Sequence, residues 1–145
     1  MNNLLSKVQL LPLYVVLGYT MGLPGMTKIF DGERVMGKYV ELFSNTFVAK
    51  FPGTPLMIYL LGIMELAVAG LLFISIARRE FLPGHAKTWL RASLFVALVT
   101  FAALGFGLRL IENHDGAASQ YFYFGMTLLM YWWVGQIEVE KQKTH

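Results

Sequence analysis

The chain has no cysteine and little charge. None of its 145 residues is a cysteine, which excludes disulfides, thiolate nucleophiles, cysteine-ligated zinc, iron–sulfur clusters and CxxC redox chemistry. Asp, Glu, Lys and Arg together make up 14% of the chain, against roughly 25% in an average soluble domain.

Apolar residues are in excess. They account for 56% of the chain, and the mean hydropathy is +0.53. Because a soluble domain of this size cannot bury so many apolar side chains, the composition predicts a membrane protein. The net charge of +3 does not indicate a nucleic-acid-binding protein, since the basic residues are scattered at the ends of apolar runs.

Four long runs are nearly free of charge. Residues 8–27, 92–108 and 116–137 contain no charged residue, and 51–77 contains only Glu65. Each run is close to the roughly 20 residues that a helix needs to cross the hydrocarbon core. The sequence therefore predicts an all-α polytopic membrane protein, a four-transmembrane-helix bundle forming a single domain over 1–145, with spans at about 8–29, 55–77, 89–109 and 117–137.

The segment between the first two predicted spans has helical periodicity. Val35, Tyr39, Leu42, Phe43 and Phe47 recur on one face, with polar residues on the other. This pattern predicts an amphipathic interfacial helix over about 33–50 between helices 1 and 2. Two interpretations remain open: a helix that only covers the bundle, or a lid over a lipid-accessible cavity.

The distribution of Lys and Arg indicates orientation. They are slightly more numerous on the face that carries both termini and the short loop with Arg78 and Arg79. By the positive-inside rule we expect both termini in the cytoplasm. The expected location is the inner (plasma) membrane of a bacterium.

Glu65 is the most informative residue, because an ionised carboxylate within a span is costly. We expect it to be protonated or to pair with a donor in the bundle interior. Its role is either a proton relay or hydrogen-bond partner for a quinone-like head group, or a structural bond between helices. Lys28 and Arg109, at the predicted outer ends of spans, reach it only if the helices are staggered; the other nearby donors are Tyr14, Tyr19, Thr20, Thr100, Tyr123 and Thr127.

The candidate ligand-binding or proton-relay residues are therefore Glu65, Lys28, Arg109, Tyr19 and Tyr123. No catalytic residue is assigned. No metal site is predicted, since the histidines lie outside the predicted spans and form no metal-ligand motif. The expected ligand is a quinone or a lipid, with no covalently bound cofactor.

Two segments resemble the DoxX-like family of small four-helix integral membrane proteins. Residues 18–30, GYTMGLPGMTKIF, are similar to its first helix, where glycines precede a lysine and an apolar pair. Residues 62–72, GIMELAVAGLL, are similar to its second helix, with Glu65 as the acidic residue and Gly70 as the glycine that follows. The resemblance covers about the first 80 residues.

The resemblance implies a four-helix bundle and a choice among functions. Relatives include membrane subunits linked to thiosulfate:quinone oxidoreduction, partners of detoxifying enzymes and membrane-protein assembly factors. We therefore expect an accessory or anchoring subunit of a quinone-linked redox complex, with a protein partner or a homo-oligomer in the lipid bilayer. The alternatives are a quinone- or lipid-binding oxidoreductase with Glu65 in its site, and an assembly or chaperone-like factor. Whether the chain is an enzyme stays open.

Overall fold

The computed structural model describes residues 8–143, which are helical without any β-strand. The all-α prediction is thus confirmed for this part of the chain. Five helices succeed one another: α1 (Leu11–Phe30), α2 (Gly32–Phe43), α3 (Thr54–Ala77), α4 (Thr88–Leu110) and α5 (His114–Lys143), with a 3₁₀ turn at Phe47–Ala49 between α2 and α3.

Local chemistry explains where these helices begin and end. Pro12 and Pro55 lie in the first turns of α1 and α3, where no backbone N–H is needed. The helix predicted over 33–50 ends earlier, at Phe43. The hydroxyls of Ser44 and Thr46 donate to the carbonyls of Glu41 and Phe43 at 2.7 and 2.8 Å, which satisfies acceptors at the helix end and stops the helix.

Two of the described helices, α3 and α4, are long and apolar enough to span a membrane. Only 33% of the apolar window of α3 and 39% of that of α4 is buried inside the bundle, whereas a core helix of a soluble protein is mostly buried. The helices α1 and α5 do not reach the same mean hydropathy. The reason is that α1 contains two prolines and Lys28, and that α5 contains Ser119, Gln120 and several tyrosines and tryptophans. Four spans therefore stay a prediction.

Large apolar side chains lie on the surface of the bundle as well as in its core. Phe73 on α3 is 73% exposed and Val15 on α1 is 70% exposed. The interior is mostly apolar but also holds several hydroxyls and charges. Ser93 on α4, for example, is fully buried and donates to the carbonyl of Val68 on α3 at 3.0 Å. The buried polar and charged residues are Lys28, Thr54, Glu65, Ser75, Glu80, Lys87, Ser93, Thr100 and Thr127.

The long helices pack in order along the chain. Extensive contacts join α1 to α3, α3 to α4, and α4 to α5, whereas α2 packs on α1 and α3. No comparably extensive packing joins α1 to α5 among the described residues. The two outermost long helices therefore leave a gap on one side of the bundle.

The helices α1 and α3 pack antiparallel, and glycines lie where the two backbones come closest. Gly18, Gly22 and Gly25 face Leu72, Ala69 and Glu65 respectively. At the next step Gly62 on α3 faces Lys28 on α1. Gly18 and Gly22, which have the GxxxG spacing, thus pack against α3 of the same chain. Small residues at such positions let two helix backbones approach closely.

A methyl group at Gly25 should loosen this interface. Its Cβ would lie 2.9 Å from the Glu65 Cβ and 3.1 Å from the Leu66 backbone N, so the helices must move apart. Gly25→Ala is expected to lower the free energy of unfolding in detergent by about 1–3 kcal/mol. Gly70→Ala on α3 is the control, because nothing lies within 4 Å of its Cβ. Equal stability of the two variants would contradict this close approach.

Candidate functional site

A buried ion pair joins α1 to α3. Lys28 Nζ donates to both carboxylate oxygens of Glu65 at 2.7 Å. The two side chains are only 7% and 2% exposed. A carboxylate that shares two hydrogen bonds with an ammonium is far better stabilised in an apolar interior than either charge alone. Of the donors considered from sequence, Lys28 is the one that pairs with Glu65.

The register of α1 and α3 explains why Lys28 points inward. An added Cβ at Gly62 would lie 3.0 Å from the Lys28 Cβ, and one at Gly25 would lie 2.9 Å from the Glu65 Cβ. Each charged residue therefore stands opposite a glycine of the other helix, with the two pairings about one turn apart. The lysine side chain is long enough to span that turn, so it reaches Glu65 instead of extending toward the helix end.

The ion pair lines a cavity of about 360 Å³ beneath α2. Tyr39 from α2 and Gln120 from α5 are further polar residues of its wall. Most of the surface is apolar, as is usual for small-molecule sites with a few placed polar groups. The apolar side chains of the wall include Met21, Leu42, Phe43, Ile58, Leu61, Phe101, Leu104, Leu108 and Ile111.

Two polar groups of the wall have hydrogen-bonding capacity to offer a ligand. Burial, and then the negative charge of Glu65, raise the pKa of Tyr39, so its phenol stays protonated at neutral pH and can donate. The Gln120 Oε1 is buried and accepts no hydrogen bond from the described residues. A buried amide oxygen without a donor is unfavourable, and a ligand hydroxyl would satisfy it.

The other predicted site residues lie further from the ion pair. Tyr19 and Tyr123 line a neighbouring, more open groove that Lys28 also lines, and they are 71% and 42% exposed. Arg109 is exposed at the end of α4, where its Nη1 lies 2.5 Å from His114 Nδ1, and it does not line the cavity. The structure therefore brings four of the five candidates to one region and leaves Arg109 apart.

A second polar network, which sequence reasoning did not predict, lies at the other end of the α1–α3 contact. The hydroxyls of Tyr14 and Ser75 lie 2.6 Å apart, and Ser75 donates to Glu80 Oε2 at 2.8 Å. The Glu80 carboxylate also accepts the backbone N–H groups of Trp89 and Leu90 at 3.2 and 2.9 Å. Glu80 thus caps the start of α4. This role is structural, and the positive end of the helix dipole further stabilises the carboxylate there.

The sequence contains weak signals for some of these missed groups. Glu80 is an acidic residue in the short connection before α4, as capping residues often are. Gln120 is one of two glutamines within the predicted span 117–137. Neither signal identifies a partner, because the partner lies on another helix.

Among the described residues, no group of three or more His, Cys, Asp or Glu is placed to hold a metal ion. Comparisons of the chain with models of protein families, with curated proteins and with solved structures found no match. The resemblance to DoxX-like proteins therefore stays a prediction from the two short segments.

Removing one partner of the ion pair should destabilise the bundle more than removing both. Glu65→Gln or Lys28→Met leaves a buried group without its counterpart, at a cost of about 3–5 kcal/mol in the free energy of unfolding. The double variant Lys28→Met/Glu65→Leu replaces the pair by apolar side chains and should recover most of that loss. Thermal or denaturant unfolding in detergent measures all three.

The matched control removes two exposed charges, in Lys50→Met/Glu41→Leu. It should unfold like the unmodified protein. Additive losses from the two single changes at Lys28 and Glu65 would mean that the two groups do not interact.

Proposed function

We propose that the chain is an integral membrane protein whose cavity beside Lys28 and Glu65 binds a quinone- or lipid-class amphiphile. The observation that carries this proposal is the buried ion pair on the wall of an otherwise apolar cavity. Ionisable residues at membrane depth are costly and generally mark functional sites. An apolar wall with few polar groups suits a ligand that is mostly hydrocarbon.

The membrane location is supported by the apolar surfaces of the long helices. Phe73 and Val15 represent a large set of exposed apolar side chains, which a bilayer would cover. The helices α1 and α5 contain 20 and 30 residues, so at 1.5 Å per residue they are about 30 and 45 Å long. We propose that all four long helices cross the membrane, with both termini in the cytoplasm and α2 at the outer interface.

This topology predicts opposite labelling of two introduced cysteines. The chain has none of its own, and both Lys38 on α2 and Arg78 after α3 are exposed. On intact cells a membrane-impermeant maleimide should label Lys38→Cys and leave Arg78→Cys unlabelled until the cells are lysed. Labelling of Arg78→Cys alone would mean the inverse orientation. Labelling of both positions would contradict the proposed number of spans.

The chemistry of the wall indicates an uncharged head group. Lys28 carries three N–H donors, and two of them are directed at Glu65. The third can donate to a carbonyl or hydroxyl of a ligand. Because the pair is neutral as a whole, a phosphate or other anionic head would bring an unmatched charge into the apolar site. A carbonyl or hydroxyl head also suits the Tyr39 donor and the Gln120 acceptor.

The ligand proposal is tested by removing the pair without losing the fold. Purified protein in lipid nanodiscs is incubated with decyl-benzoquinone or with monodecanoylglycerol, and retained ligand is measured by native mass spectrometry. We expect the unmodified protein to retain one of them. Lys28→Met/Glu65→Leu should weaken retention about tenfold or more, because it removes hydrogen bonds to charged groups.

The control for this experiment is again Lys50→Met/Glu41→Leu, which removes one charge of each sign outside the cavity. It should retain ligand normally. Equal retention by the two double variants would contradict a site at the ion pair.

We further propose that the chain acts as an accessory or anchoring subunit of a quinone-linked redox complex. The lack of cysteine supports this role, as do the positions of His85 before α4 and of His114 at the first residue of α5, because a partner would supply the electron-carrying groups. Gentle detergent extraction and affinity purification should recover a dehydrogenase, a sulfurtransferase or a cytochrome in stoichiometric amount. Recovery of the chain alone with a bound quinone would instead favour an oxidoreductase whose quinone site lies in this bundle. Recovery together with many immature membrane proteins would favour an assembly factor.

A further inference from the structure

The gap between α1 and α5 forms a third concave surface. It is a groove of about 500 Å³, walled by Leu13 and Val16 from α1 and by Met126 and Met130 from α5. Its surface is almost wholly apolar, and it opens on the side of the bundle where α1 and α5 lack extensive packing. The lining residues of α1 run from Thr20 to Pro12, about 12 Å along the helix, and Gln9 lies in the turn just before α1.

The groove adjoins the cavity of the ion pair. Thr20 and Phe101 line both, so the apolar groove begins beside the cavity that Lys28 and Glu65 line. Together they form an amphipathic path, polar at one end and hydrocarbon-like along the rest. The two methionines add flexible side chains that adapt to an irregular chain.

We propose that this groove is the binding subsite for the single hydrocarbon tail of the ligand, and that the ligand enters sideways from the bilayer between α1 and α5. This inference rests on the proposed function. The occupant is the tail of a single-chain amphiphile, since a soluble polar molecule has nothing to bind in the groove. The carbonyl or hydroxyl head lies beside the ion pair, and the tail extends past Thr20 toward the end of the groove at Gln9.

The test locates the tail directly. Decyl-benzoquinone with a diazirine at the end of its alkyl chain is photolysed with the full-length protein in nanodiscs, and the modified peptides are identified by mass spectrometry. The same diazirine on monodecanoylglycerol distinguishes a quinone from a glyceride. For the preferred head we expect saturable modification of Leu13, Met126 or Met130, which an excess of unlabelled compound abolishes.

A pair of tryptophan variants provides the matched comparison. Leu13→Trp fills the groove, whereas Val15→Trp adds the same side chain on the outward face of α1, where Val15 is 70% exposed. Leu13→Trp should reduce groove modification several-fold and Val15→Trp should not. A tail-less benzoquinone should still compete for the head site in both variants.

Failure of this inference and failure of the proposed function give different results. Saturable modification confined to outward residues such as Phe73, with head binding intact, would overturn the tail groove alone. Equal groove modification in Leu13→Trp and Val15→Trp would do the same. Absence of saturable modification with either probe would overturn both the groove and the ligand-binding proposal.

Discussion

The rest of the structure depends on the ion pair between Lys28 and Glu65 inside an apolar bundle. Neither Lys28 nor Glu65 is stable alone in that environment, so α1 and α3 must approach closely enough for the ammonium to contact both carboxylate oxygens. Gly25 and Gly62 make the approach possible, because a side chain at either position would meet the opposite helix. The glycines and the charges thus form a single structural unit, and loss of either one should disturb the other.

That unit also gives the cavity its chemical character. Without the ion pair, the polar groups in the space beneath α2 would be uncharged ones such as Tyr39 and Gln120. With it, the cavity has a charged polar wall, while the adjoining groove between α1 and α5 stays apolar. Under the proposed function, stability and ligand binding depend on the same two residues. A single substitution at either position is then expected to change both properties, whereas the apolar double replacement is designed to keep the fold and remove the charged pair.

The sequence predicts the helical architecture and singles out Glu65 and Lys28, but not their contact. An acidic residue in an apolar run can be recognised from the sequence alone. Its pairing partner cannot, because the contact depends on the antiparallel register of α1 and α3, which is set by glycines far apart in the chain. The same limit applies to Glu80, whose capping role depends on how the chain turns between α3 and α4. The end of α2 at Phe43 was missed for a local reason: the Ser44 and Thr46 hydroxyls compete with helix continuation more strongly than the apolar periodicity favours it.

The central claim is that Lys28 and Glu65 form an ion pair in the membrane and that a ligand head binds beside it. Solid-state NMR of the full chain in lipid bilayers, with ¹⁵N-labelled lysine and ¹³C-labelled glutamate, tests this most directly. We expect a through-space correlation between Lys28 Nζ and the Glu65 carboxylate carbon without ligand, and a shift of the Lys28 Nζ resonance when decyl-benzoquinone or monodecanoylglycerol is added. Absence of the correlation in the folded protein would contradict the pair, and a correlation that neither compound perturbs would contradict its role in binding.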